Sequence, residues 1–283
     1  MVDGSPDRCL AMLREALPHA GFRARLLCLS RNFGSFSAVV AGLEVARGPL
    51  FGVMAADLQE PAELVLAFQK KLASEECSVV IGIRKSRTDP WLSKLLSGLF
   101  WRTYRTFVQK EVPAGGVDVF GCNREFRDAL VAFRERNTTL IGLLFWLGFP
   151  RAEVEYERLP RPAGESAWTF GRRIRYLMDS SFAFSDLPIR FISGAGLLGL
   201  LISVVLGLLV LVARVSGDIP VPGYAATIIA VMFFGGLNSL SIGLLGEYLW
   251  RAFENTKGRP LFVVARDLSF APGNTVKNPN VVE

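Results

Sequence analysis

The sequence predicts an α/β domain with a largely parallel sheet, followed by juxtamembrane amphipathic helices and two transmembrane helices. Three observations lead there. Short apolar segments alternate with helical stretches through residues 1–160, the pattern of strands joined by helices in a layered fold. Two runs near the C-terminus, Phe191 to Ala213 and Tyr224 to Leu245, carry no charge. A stretch rich in aromatic residues and arginine, Trp168 to Ile189, leads into the first of them.

The elements follow in order. Arg25 to Leu29 (RLLCL) reads as a strand and Ser35 to Ala46 as a helix. Leu50 to Met54 (LFGVM) is a strand, Glu63 to Ser74 an amphipathic helix, and Ser78 to Ile83 (SVVIGI) a strand again. Trp91 to Phe107 (WLSKLLSGLFWRTYRTF) has helical periodicity. Its basic face is either solvated beside a core contact or laid against a membrane surface. Trp168 to Ile189 mixes Phe, Trp, Tyr and Arg as an interfacial helix does. At about 1.5 Å per residue each charge-free run is long enough to cross a hydrocarbon core about 30 Å thick. Soluble helices rarely run so far without a charge. The second run contains Asn238, Ser239 and Ser241.

Charge placement orients the chain. Arg172, Arg173, Arg175 and Arg190 precede the first run, and Arg251, Lys257 and Arg259 follow the second. The connector Arg214 to Gly223 holds one Arg and one Asp. Basic residues favour the cytoplasmic side, so both termini are expected in the cytoplasm, on a multi-pass protein of the cytoplasmic (inner) membrane. No signal peptide precedes the soluble part, and the first span is expected to start insertion. The net charge of +6 then points to the membrane as partner and not to nucleic acid. Four scattered cysteines, Cys9, Cys28, Cys77 and Cys122, have no metal-type spacing and fit a reduced compartment. The expected boundaries are 1–160 for the soluble domain, 161–190 for the interfacial helices, 191–250 for the spans and 251–283 for a cytoplasmic tail. That tail is polar after Ala271, contains Gly and Pro, and reads as disordered.

In open α/β sheets ligands lie outside the carboxyl ends of the strands. That singles out Ser30-Arg31-Asn32, Ala55 to Pro61, and Arg84 to Arg87. Asp57 and Gln59 offer a carboxylate and an amide oxygen one residue apart, a pair suited to Mg²⁺ or Mn²⁺ beside substrate phosphates. An acid near a helix N-terminus is also favourable for purely local reasons.

Taken together, these segments resemble the family-2 inverting glycosyltransferases of the polyprenyl-phosphate type, relatives of dolichol-phosphate mannose synthase and of the bacterial enzymes that glucosylate undecaprenyl phosphate. The resemblance covers nearly the whole chain. Asp3-Gly4-Ser5 matches the family's Asp-Gly-Ser element, Arg31-Asn32-Phe33-Gly34 its Arg-Asn-x-Gly element, and Asp57-Leu58-Gln59 its metal-binding strand end. Gly82-Ile83-Arg84, Arg161 to Ser166, Gly246 to Leu249 and Lys257 to Leu261 resemble later elements in the family's order. The resemblance implies a GT-A-like nucleotide-sugar-binding domain with metal ligands Asp57 and Gln59. It implies catalytic roles for Asp57, Asp118 and Arg84. Asp3, Ser5, Arg31 and Asn32 would bind the nucleotide sugar, UDP- or GDP-linked. Arg84, Arg87, Arg161 and Ser166 would bind the acceptor phosphate of a polyprenyl lipid. Gly235 and Gly236 would allow close helix approach in a homo-oligomer.

Three departures qualify the match. Ala55 stands where the family usually has the first Asp of Asp-x-Asp, and Gly115 where it often has an acid before Asp118. An opening strand, its helix and most of the next strand, about 30 residues for such a unit, have no counterpart before Met1, so the frame is expected to be truncated at its N-terminus. These departures leave a second reading, a catalytically impaired membrane-anchored protein that binds nucleotide sugars or serves as a scaffold. A small lipid carrier is the third, and the large soluble domain argues against it.

Overall fold

The computed structural model describes residues 1–85, 98, 102, 104–106, 109–113, 116–117, 119–160, 170–216, 223–272 and 274–277. Two four-stranded sheets carry the soluble part. The first contains β1 (Val2–Asp3), β2 (Ala24–Leu29), β7 (Val264–Ala271) and β8 (Asn274–Lys277), in that spatial order. The second is ordered β3 (Leu50–Val53), β5 (Phe120–Asn123), β4 (Val79–Arg84), β6 (Arg151–Tyr156). The helices are α1 (Cys9–Ala16), α2 (Ser35–Val45), α3 (Glu63–Ala73), α4 (Arg124–Ala132), α5 (Leu140–Trp146), α6 (Phe170–Phe184), α7 (Leu187–Val215) and α8 (Tyr224–Thr256).

The five soluble elements read from the N-terminal half of the sequence form within a residue or so of their expected bounds. The largely parallel sheet does not. Only β1–β2 and β4–β6 pair in parallel among the described strands; β2–β7, β7–β8, β3–β5 and β4–β5 are antiparallel. The reason is insertion. The short strand FGCN of β5 slots between β3 and β4, and the C-terminal strand β7 returns to lie on β2. The tail is likewise ordered in part, since Asn274–Lys277 pairs with β7. Most of Trp91 to Phe107 lies outside the described residues; helical backbone is present at 98, 102 and 104–106.

Local sequence explains the elements. In α3, Leu64, Phe68 and Leu72 recur four residues apart and are buried, the stripe of a core-facing helix. Glu63 in its first turn and Lys70 and Lys71 in its last complement the helix dipole. In α4 the Asn123 side chain accepts the Phe126 N–H at 2.9 Å, an N-cap worth about 1 kcal/mol. Phe126 and Leu130 then drop into the main core beside Val79, Ile81, Phe120 and Cys122. Burial pushes the Cys122 thiol up to about 12, so it stays protonated at neutral pH. Phe68 and Leu72 meet Val80 and Tyr156 on the other face of the second sheet. Under the first sheet, Val2, Leu26, Cys28, Leu268 and Phe270 form a separate cluster.

Helix α6 docks on the soluble part through small residues. A Cβ on Gly142 would lie 2.1 Å from the Phe184 ring, so α5 and α6 meet at a distance only glycine permits. Thr139 caps α5 by accepting the Gly142 N–H, and its hydroxyl lies 3.3 Å from the buried Ser180 hydroxyl of α6. On its other side α6 meets the end of α8. Arg251 donates to Asp179 of α6 at 2.8 Å and to Glu247 of its own helix, and sits 4.8 Å from the Phe182 ring. Phe182 in turn packs edge-on against Tyr248. Arg136 adds a second tie, donating to the Pro260 carbonyl at 2.9 Å and pairing with Glu254.

Within α7 and α8, Leu187–Leu209 and Ala230–Thr256 are long and apolar enough to cross a membrane. Most of their large side chains, from Leu197 to Leu209 and from Val231 to Leu245, are exposed and not packed into a protein core. The core helix of a soluble domain looks different, because its apolar face is covered. Against each other they touch closely where Gly199 faces Phe234.

The return of β7 is fastened by charge. Arg25 of β2 holds Asp267 of β7 by two hydrogen bonds, at 2.8 and 2.5 Å. This contact keeps the Asp267 carboxyl below the ordinary aspartate range. A carboxyl lowered by folding binds fewer protons in the folded than in the unfolded state, so the pair stabilises above the unfolded pKa. Its contribution drains away as the pH falls through the folded value. Asp267→Asn is expected to lower stability near pH 7 by about 1 kcal/mol or less, because the arginine is partly solvated, and to flatten the acid side of the stability curve. Thermal unfolding across pH checks both.

Candidate functional site

Two groups of polar residues gather at strand ends. The first forms where β1 and β2 run parallel, so that their carboxyl ends share an edge. Asp3 closes β1, and one carboxylate oxygen accepts the Phe33 N–H at 2.7 Å and the other the Gly34 N–H at 2.8 Å. Its main-chain carbonyl accepts the Asn32 amide at 3.1 Å. Gly34, at φ +92°, precedes α2, so Asp3 places a negative charge at a helix N-terminus and satisfies N–H groups next to it. Gly4 is required here. Its φ is +57°, and a Cβ would lie 2.2 Å from the backbone of Arg31 and Asn32. Arg31 stacks over Phe33 at 4.2 Å. Ser5 turns elsewhere and donates to Asp7 at 2.8 Å, while the same Asp7 oxygen accepts the Cys9 N–H. The Cys9 thiol, the Cys9 N–H and the Ser5 hydroxyl together hold the Asp7 carboxyl low. The loop is also tied to the far end of the chain, since the Ser30 N–H donates to the Val263 carbonyl at 2.9 Å.

The second group lies on the other sheet. Strands β3 and β4 both run antiparallel to β5, and β6 is parallel to β4, so β3, β4 and β6 point the same way. Val53 and Ile81 both face Phe120 in register. Asp57, four residues past Val53, and Arg84, three past Ile81, therefore share one edge with the segment after Tyr156. Contacts bear this out. Gln59 donates its side-chain amide to the Leu159 carbonyl at 3.2 Å, and the Leu159 N–H donates to the Gln59 carbonyl at 2.8 Å. One Asp57 oxygen lies 3.8 Å from Arg158, and the other accepts the Gln59 N–H at 3.4 Å. Between them Leu58 sits in the left-handed region at φ +56°, its side chain 70% exposed. Strain of this kind costs about 1–3 kcal/mol and persists where surrounding contacts hold it.

The structure thus joins Asp3, Arg31 and Asn32 in one group and sets Asp57, Gln59 and Arg84 along one edge of the other sheet. Ser5 follows Gly4 at the border of the first group and spends its hydroxyl proton on Asp7. Arg87, Asp118, Arg161 and Ser166 lie outside the described residues. Among the described residues no group of three or more His, Cys, Asp or Glu is placed to hold a metal. Asp57 and Gln59 fit a shell that supplies one carboxylate and one amide and leaves the remaining positions to substrate phosphates and water; Ala55, exposed beside them, adds no ligand. Sequence reasoning missed Arg158. Its signal is faint, a basic residue two positions beyond a strand that had not itself been recognised.

Comparison with known proteins supplies a family. The family described as glycosyl transferase family 2 matches residues 1–132. CsbB of Bacillus subtilis strain 168, provisionally named a glycosyltransferase, is 34% identical over 93% of this chain and 79% of its own length. The undecaprenyl-phosphate 4-deoxy-4-formamido-L-arabinose transferase of Enterobacter sp. strain 638 is 30% identical over 97% of this chain and 84% of that protein. The bactoprenol glucosyl transferase of Shigella phage SfX is 28% identical over 93% and 86%.

Asp3→Ala is expected to cost about 1–2 kcal/mol, since two N–H groups at the start of α2 lose their acceptor. The amides of Phe33 and Gly34 should then exchange faster with solvent, which hydrogen-exchange mass spectrometry reads directly. Asp3→Asn, with one acceptor oxygen left, should fall between.

Proposed function

The chain belongs to glycosyl transferase family 2, and from that premise we propose that it is an inverting enzyme acting on a membrane lipid. It moves a sugar from a UDP- or GDP-linked donor to a polyprenyl phosphate, undecaprenyl phosphate above all, for synthesis or modification of cell-envelope glycan or lipopolysaccharide. The observation that carries this reading is the extent of the match. Relatives named for undecaprenyl-phosphate and bactoprenol transfer align along nearly the whole chain, the two membrane-length helices included. The edge formed by Asp57, Gln59 and Arg84 supports it, because anionic donor and acceptor groups need both a cation seat and fixed positive charge.

In this mechanism an oxygen of the acceptor phosphate attacks the anomeric carbon from the face opposite the nucleoside diphosphate. The new C–O bond forms as the bond to the diphosphate breaks, and the configuration inverts. The nucleophile is already anionic and needs little deprotonation. Asp57 and Gln59 would hold Mg²⁺ or Mn²⁺, which would supply positive charge beside the leaving diphosphate. Asp3 and Asn32 fix the donor loop, with Ser5 and Arg31 at its border. Arg84, together with Arg87, Arg161 and Ser166, receives the phosphates, for which planar guanidinium groups offer paired donors. Asp118 orients the sugar. Helices α7 and α8 hold the domain on the cytoplasmic face, with both termini in the cytoplasm, and Gly235 and Gly236 serve contact between copies.

Ala55 and Gly115, each where the family often has an acid, favour the impaired binding or scaffold protein instead. Label transfer from a panel of sugar nucleotides to undecaprenyl phosphate, in membranes with Mg²⁺, Mn²⁺ or EDTA, separates the two. The transferase reading expects product that disappears in EDTA. Asp57→Asn should reduce transfer to background while the protein still inserts. Full activity in that variant would remove the metal assignment, and no transfer from any donor would favour the impaired protein.

A further inference from the structure

We propose that Arg158 is a phosphate-binding residue, parked against Asp57 in the ligand-free protein and turned onto a phosphoryl group when substrate arrives. The proposal rests on the transferase reading above and adds a residue to it. Arg158 lies two positions beyond β6, on the edge that carries Asp57 and Gln59. Its contact with Asp57 is a charge contact at 3.8 Å, too long for a hydrogen bond, so the guanidinium keeps its donors. Its Nε–H is buried and has no hydrogen-bond partner among the described residues. Such a group is costly to leave unmade, and a ligand at this edge would satisfy it.

The backbone is fixed while the side chain has room to turn. Leu159, the next residue, is bonded both ways to Gln59, at 2.8 and 3.2 Å, and the Arg158 side chain is 29% exposed. Charge counting points the same way. Asp57 and Arg158 face each other with opposite charge in the free site. A phosphoryl group arriving with a divalent cation draws Asp57 to the cation and leaves Arg158 to pair with phosphate oxygens, where its planar fork makes two bonds at once. The same chemistry is offered by the diphosphate of a donor and by the phosphate of a polyprenyl lipid.

Calorimetric titration of the full chain in detergent micelles tests this with UDP, GDP, undecaprenyl phosphate and the bare nucleosides uridine and guanosine, each with and without Mn²⁺. Arg158→Ala should weaken the phosphate ligand about tenfold or more and leave nucleoside affinity unchanged. Arg158→Lys, which keeps the charge and loses the fork, should fall between. Without Mn²⁺, Asp57→Asn should tighten phosphate binding by releasing Arg158, and the gain should shrink in the double variant. A loss confined to UDP or GDP assigns the residue to the donor, and one confined to undecaprenyl phosphate assigns it to the acceptor. Unchanged phosphate binding in Arg158→Ala, or an equal fall in nucleoside affinity, overturns the proposal and leaves the transferase reading standing. A wild-type chain that binds none of the phosphate ligands overturns both.

Discussion

The docking of α6 is the contact through which the soluble part and the membrane-length helices are joined side by side. The helix lies between the soluble part and the second membrane-length helix, and each side is held by a different kind of contact. Toward the soluble part the fit is steric: Gly142 against Phe184 and the buried pair Thr139–Ser180. Toward α8 it is ionic and aromatic: Arg251 with Asp179, and Phe182 against Tyr248. Steric fit is intolerant of displacement, because close-packed side chains have few alternative arrangements. A partly solvated ion pair is more forgiving. The rigid joint therefore sits on the side of the chemistry and the adjustable one on the side of the bilayer.

The sheet edges set out a division of labour. Asp3 spends its carboxylate on the protein itself, fixing the loop that carries Arg31 and Asn32. Asp57 lies on the other sheet's edge, beside the Gln59 N–H and the Arg158 guanidinium. An acid whose two oxygens accept backbone N–H groups is a structural anchor, and one that faces a guanidinium is placed to change partner when an anion arrives. The two aspartates look alike in sequence, each just after an apolar strand, and only their surroundings separate them.

Much of this was legible in the chain itself. The β-branched and leucine-rich strands β2, β3 and β4, the amphipathic α3 and the charge-free helices declare their period or their length directly. The candidate residues after those strands were legible for the same reason, since a strand end is recognisable once the strand is. What was hidden depends on partners far away in sequence. The strand FGCN of β5 is four residues long with a central glycine, and nothing local marks it. VARDLSFA of β7 places Arg266 and Asp267 side by side, which reads as a solvated tail until Arg25 is opposite. These two strands pair antiparallel, and so the expected parallel sheet became a mixed one. Arg158 was concealed in the same way, because its meaning comes from Asp57, a hundred residues earlier in the chain.

The pairing of β7 with β2 also dictates an order of events. Strand β2 emerges from the ribosome early, yet its antiparallel neighbour lies beyond both membrane-length helices. Contacts this distant in sequence are slow to form, because a long loop has to close before they repay its entropy. The first sheet therefore waits, with one long flank of β2 unpaired, until both helices have been made. During that interval the exposed flank is a template for pairing with other chains, and newly made protein is most prone to aggregate just before β7 arrives.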